Sequence, residues 1–166
     1  MLIVQTDESL VDANSYVSVL DASAYIEVFL PAKFSQWDAL TELQQEASLI
    51  SAAKYLDNML RWQSALLNPD QLLEWPRVSF VDASGRTVVG VPEMIKESQI
   101  RLTVESLDRP LYQPQSVLKI DTYGKASQTY ENGKLEGSGV TQDVRRMLLT
   151  RGYGRSSTSI VEFSRV

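Results

Sequence analysis

The chain has 166 residues, 43% of them hydrophobic and 22% charged, and a formal net charge of −5. That is one domain's worth of sequence, long enough to bury about 70% of the surface its unfolded form exposes. It holds neither cysteine nor histidine, which excludes disulfides, thiolate nucleophiles, imidazole bases and the common zinc ligand sets. Asp and Glu are scattered along polar helical faces without a tight constellation, so the sequence predicts no enzymatic activity, no catalytic residue, no metal and no cofactor. No apolar run approaches the roughly 20 residues of a membrane span. The opening Met-Leu-Ile-Val-Gln-Thr-Asp-Glu is too short and too acidic for a secretory signal, so an intracellular location, or one inside a particle assembled there, is expected.

Charge is distributed unevenly. Residues 1–60 hold nine acids against Lys33 and Lys54, whereas residues 144–166 hold Arg145, Arg146, Arg151, Arg155 and Arg165 against Glu162. A basic tail of this kind suits DNA or an acidic protein surface. Acid at one end and base at the other equally suits head-to-tail contacts between subunits.

In chain order, residues 1–13 lack periodicity and read as an N-terminal arm, either extended with Leu2 to Val4 pairing to something or frayed. Ser18 with Asp21 opens a first helix over 19–30, with Ala22, Tyr25, Ile26 and Phe29 on its buried side. Pro31 ends it, and 34–40 reads as a linking turn whose Trp37 fills a gap between helices. Thr41 and Gln44 form a capping box for a long central helix over 42–61, the stretch with the densest apolar content. Asn68-Pro69 predicts a short helix over 69–74, after which Trp75, placed before Pro76, turns extended.

Val78 to Val81 and Thr87 to Val89 flank Asp82-Ala83-Ser84-Gly85 and predict a hairpin or long loop. A helix over 92–108 follows, apolar on more than one face and therefore central to a small bundle. Beyond Pro110 the composition shifts. Strands are expected over 117–123 and 127–130, a short helix after Thr141, and a last strand over 159–166 behind a Gly- and Ser-rich lead. That strand either closes on its own domain or adds to a neighbour. The expected fold is mainly α: an arm (1–13), a helical bundle core with an inserted loop or hairpin (14–109), and a docking region of short strands plus one short helix (110–166).

Tyr55-Leu56-Asp57, Trp62, Pro69-Asp70-Gln71 and Trp75-Pro76-Arg77, with Asn14 to Ser18, Ala24-Tyr25, Trp37 and Val91-Pro92, resemble a family of small tailed-phage proteins encoded among the virion genes. Members of known structure are head-tail connector adaptors, and the family also carries the label DnaT-like single-stranded DNA-binding. The similarity covers roughly residues 14–107; Gln63-Ser64 stands where Lys-Gly is usual, and the remainder matches mainly in its pattern of elements. The resemblance implies a structural core motif of Tyr55, Leu56, Trp62, Trp75, Pro76 and Arg77. It also implies a dodecameric ring beneath the portal protein, joined to a stopper or tail tube, in a virion assembled in the host cytoplasm.

Double-stranded DNA would pass through such a ring without tight binding, which a net acidic chain favours. Contacts with the portal or an adjacent subunit are expected at Arg145, Arg146, Arg151, Tyr153, Arg155, Ile160, Val161, Phe163 and Arg165. The alternative is a single-stranded DNA binder of the DnaT type, which would need bases to stack on exposed aromatics such as Trp62, Trp75 or Tyr153 beside arginines.

Overall fold

The computed structural model describes residues 1–112 and 139–155. The expected strands over 117–130 and 159–166, together with Ile160, Val161, Phe163 and Arg165, lie outside the described residues. The rest is mainly α with a few short strands, as the sequence predicts. The helices are α1 (Val19–Phe29), α2 (Pro31–Asp38), α3 (Glu42–Asp57), α4 (Glu93–Asp108) and α5 (Gly139–Thr150). Two-residue strands β1 (Arg61–Trp62), β2 (Phe80–Val81), β3 (Thr87–Val88) and β4 (Gly154–Arg155) complete the described elements.

Local chemistry sets most helix ends. The Ser18 hydroxyl accepts from the Asp21 amide at 3.1 Å to start α1, and Thr41 and Gln44 close the full capping box of α3. Pro31 ends α1 but also occupies the first turn of α2, where its fixed φ and missing N–H cost nothing. Residues 31–38 are therefore a helix rather than a linking turn. Trp37 on α2 is fully buried with Ala22, Ile26 and Leu49, filling the gap between α1 and α3. Phe29, expected in the core, is 65% exposed at the end of α1 and stacks on Tyr25 instead.

α3 stops at Asp57, short of the expected residue 61, because groups from beyond its end take up its last carbonyls. Asn58 Nδ2 donates to the Lys54 carbonyl at 2.7 Å and Trp62 Nε1 to the Asp57 carbonyl at 2.8 Å. α3 packs on α4 through Leu49, Ala52, Ala53 and Leu56. α4 buries Ile95, Ile100, Leu102 and Val104 together with Gln99, so it is central as its wide apolar pattern implies. The predicted hairpin forms with Phe80 opposite Val88 and Val81 opposite Thr87.

Residues 1–13 are not frayed: of the two readings, the extended one with Leu2 to Val4 pairing holds, at Val4. Val4 bridges Ser15, Gln5 is buried and its Nε2 donates to the Trp75 carbonyl at 3.2 Å. The buried Gln99 side chain accepts from the Tyr16 amide at 2.9 Å and donates to Ser15 Oγ at 2.7 Å and the Leu49 carbonyl at 2.9 Å. One amide thus ties the N-terminal segment to α3 and α4, a connection that no apolar periodicity can encode.

Asp7 reaches the start of α4, accepting from the Val91 amide at 3.0 Å. It lies where a Cβ on Gly90 would point, and Gly90 has a φ of +72°. Gly90→Ala is expected to cost about 1–3 kcal/mol through that overlap and the left-handed backbone together. Urea unfolding measures it, and a cost within experimental error would mean that the Asp7 contact does not hold.

Candidate functional site

Many of the residues that carry the family resemblance, among them Leu56, Trp62 and Trp75, come together in one place, while Val17, Tyr25 and Trp37 belong to the second core cluster. Trp75 is fully buried at the centre of four aromatics. Its ring meets Trp62 edge-on at 6.0 Å, Phe80 edge-on at 5.1 Å and Tyr153 tilted at 5.3 Å, spacings at which aromatic pairs attract beyond their buried area. The four rings come from β1, the turn before Pro76, β2 and the turn after α5, so the cluster pins four segments that are distant in sequence. The Trp75-Pro76 bond is cis.

Polar groups complete the unit. Arg77 Nη1 donates to the carbonyls of Gln63, at 3.1 Å, and Ser64, and its Nη2 pairs with Glu74. Gln71 replaces the expected helix over 69–74. Its Nε2 donates to the carbonyls of Leu73 at 2.6 Å and Pro76 at 3.1 Å, while its Oε1 accepts from Ser9 Oγ at 2.6 Å and the Asn68 amide at 3.1 Å. A side chain thus supplies the backbone partners that a helical turn would otherwise provide, and the segment folds as turns.

Asp57 sits beside this cluster. Its Oδ1 accepts from the Tyr16 hydroxyl at 2.5 Å and its Oδ2 from the Glu74 amide at 3.3 Å. Burial pushes its carboxyl up to about 7, against the lowering effect of those bonds. Burial, and then the neighbouring Asp57 charge, raise the Tyr16 phenol as well. Among the described residues no group of three or more acidic side chains is placed to hold a metal ion, and no described helix is long and apolar enough to cross a membrane.

The described arginines of the expected contact region are exposed, except the half-buried Arg145. α5 packs on α4 with Val144 and Leu148 buried in the main core. Its outer side joins Arg101 of α4 in an open groove of about 390 Å³, with Val144, Met147, Arg146 and Arg151 along it. Arg101 is paired with Glu97 at 2.7 Å and Arg146 with Asp143 at 2.8 Å. Arg155 is exposed on β4, whose pairing sets Arg61 opposite Arg155 and Trp62 opposite Gly154. Arg145 is half-buried and engaged in interactions of its own.

Tyr153, expected at a contact surface, is only 6% exposed and belongs to the aromatic core. The reason is local: Gly152, at φ +77°, lets the chain turn back after α5, and Gly154 sits so close to Leu60 and the Arg61 carbonyl that a Cβ would collide. With Trp75 and Tyr153 buried and Trp62 half-buried, the aromatics named for base stacking are packed rather than displayed. Sequence reading missed the Gln71 and Gln99 hubs. Their neighbours in sequence are mixed polar and apolar, Asp70 and Leu72 about Gln71 and Ser98 and Ile100 about Gln99, and give no signal.

A family model described as "Putative DnaT-like ssDNA binding protein" matches residues 1–166. Neither a curated protein nor a solved structure matches the chain.

Proposed function

The chain belongs to the DnaT-like ssDNA-binding protein family, and we propose that its role is structural: a head-tail adaptor of a tailed phage. In this reading copies form a ring, dodecameric as the resemblance implies, beneath the portal. The ring extends the channel for double-stranded DNA, presents a surface to the stopper or tail tube, and works in the virion after assembly in the host cytoplasm. It uses no catalytic residue and no cofactor. The observation that carries the reading is the fate of the motif residues: Trp62, Trp75, Pro76 and Arg77 go into joining segments of the fold, with Trp75 fully buried. A motif spent on rigidity suits a subunit that must transmit contacts on several sides.

The second reading follows the family's description, and the arginines of the α4–α5 groove favour it, since phosphates could follow them. It calls for base-stacking aromatics near those arginines. Fluorescence anisotropy with a labelled single-stranded oligonucleotide near physiological salt separates the two. The adaptor reading predicts binding no tighter than about 100 μM, the weak end of non-specific association. Tight binding that falls steeply with salt and is lost in Arg146→Glu and Arg151→Glu would overturn it in favour of the second.

A further inference from the structure

Most of the described arginines have a carboxylate beside them. Arg77, Arg86, Arg101, Arg109 and Arg146 each pair with one, and Arg145 is engaged in interactions of its own. Arg61, Arg151 and Arg155 are exposed, and among the described residues no carboxylate pairs with them. These three are also the ones that the fold gathers. β1 and β4 set Arg61 directly opposite Arg155, a pairing that brings their Cα atoms to about 5.5 Å or less. Arg151 stands at the start of the short turn that leads from α5 into β4.

Like charges directly opposite each other across a ladder repel, so this register holds against its own electrostatics. Packing enforces it. Gly154 lies so close to Leu60 that a Cβ would come within 2.9 Å of it, and Tyr153 is held by Trp75 and Phe80. The hairpin tip closes the other side, where the Ala83 amide donates to the Arg151 carbonyl at 2.9 Å. Asp82, the acid on that tip, is already taken: its carboxylate accepts from the Ser84 amide and hydroxyl and pairs with Arg86. Positive charge gathered without internal compensation, in a chain of net charge −5, marks a site for an external anion.

On β1, β4 and the turn before β4, no large apolar side chain is exposed beside the three arginines: Leu60 and Tyr153 are buried and Trp62 is half-buried. Protein interfaces are anchored at their centre by such side chains, whereas a phosphate backbone asks only for the guanidiniums. The same burial leaves no fully exposed ring here to stack on a base. We infer that Arg61, Arg151 and Arg155 form a contact for the phosphate backbone of DNA, duplex as readily as single-stranded, which reads neither base nor sequence. The inference rests on the adaptor reading for the choice of DNA, and names the part of each copy that meets it. Three phosphates neutralised give a slope of about −2 to −3 in log affinity against log salt. Affinity therefore falls by about a few hundredfold for a tenfold rise in salt, which keeps the contact weak at physiological salt.

The test is fluorescence anisotropy of the full chain with a labelled duplex and a labelled single strand, each in unrelated sequences, over a series of salt concentrations. At low salt, duplex and single strand should bind within a few-fold of one another and without sequence preference. Arg61→Ala, Arg151→Ala and Arg155→Ala should each lower the salt slope by about 1. Lys33→Ala, which removes the same charge from α2, a helix packed on α1 and α4, should leave the slope unchanged. Urea unfolding supplies the folding control: Arg61→Ala and Arg155→Ala should be as stable as wild type or slightly more so, since each relieves the like-charge pair. Slopes unchanged in all three arginine variants, or lowered as much by Lys33→Ala, would overturn the site. Single-strand binding more than about tenfold tighter than duplex binding would do the same, because it would require base stacking. Displacement of the duplex by poly-glutamate as readily as by unlabelled duplex would overturn it in favour of an acidic protein surface. None of these outcomes touches the adaptor reading, which fails separately if portal rings mixed with the chain stay bare.

Discussion

Trp75→Ala is expected to destabilise the fold by about 3–5 kcal/mol, the cost of emptying a fully enclosed aromatic site. The side chain is fully buried, and its removal takes away three ring contacts at 5.1–6.0 Å together with the floor on which Tyr153 rests. In a chain of this length such a loss lowers the melting temperature by roughly 10 °C. The damage should be uneven. Since Tyr153 anchors the turn after α5 and Val144 and Leu148 share the same cluster, amides of α5 should lose hydrogen-exchange protection before those of α1 and α2, whose core forms around Trp37. Trp75→Phe should cost much less, because among the described residues no acceptor reaches the indole N–H and a phenyl ring forfeits no hydrogen bond. A loss below about 1 kcal/mol for the alanine variant would contradict the placement of Trp75 at the centre of the core.

The second large effect is a pH dependence. The carboxyl of Asp57 titrates near 7 in the folded protein, against 3.8 for the ordinary group. A raised folded value means that the folded state holds the extra proton between these pH values, so stability falls as pH rises from about 4 to about 7. The full span is worth on the order of 4 kcal/mol. Asp57→Asn removes the titration while keeping a carbonyl oxygen for the Glu74 amide and an amide that can donate to Tyr16 Oη. Measured against wild type by urea unfolding at successive pH values, the variant should be comparable or weaker near pH 4.5 and clearly more stable near pH 8. Parallel curves across that range would show that Asp57 is ionised throughout and that its enclosure is incomplete.

How far the fold was legible depends on how local its causes are. The Thr41–Gln44 capping box, the Ser18 cap, the hairpin around Asp82 to Gly85 and the central place of α4 were all readable, because each depends on residues within a few positions or on one period. Pro31 illustrates a limit of the same logic. Proline both ends a helix and begins one, and the Trp37 anchor made α2 the outcome. The turns over 69–74 and the docking of residues 1–13 depended on single glutamines bonding across distant segments, Gln71 taking Ser9 and Gln5 taking the Trp75 carbonyl, while Gln99 joined Ser15 and Tyr16 to α3, and no sequence period marks such hubs.

The candidate site divides in the same way. Arg146 and Arg151 lie exposed on and just after α5, whose helix pattern around Val144, Met147 and Leu148 was clear. Tyr153 was misplaced because two glycines and a two-residue pairing with β1 turn it inward, and strands that short have no alternation to read.

The proposed role makes this protein a joint between other assemblies, and electron microscopy of purified portal rings mixed with the full chain tests that most directly. Symmetric density added as a ring beneath the portal, continuous with its channel, is the predicted result. Portal rings left bare at saturating protein, from a preparation that binds single-stranded DNA tightly, would contradict the account and return the chain to the role its family's description names.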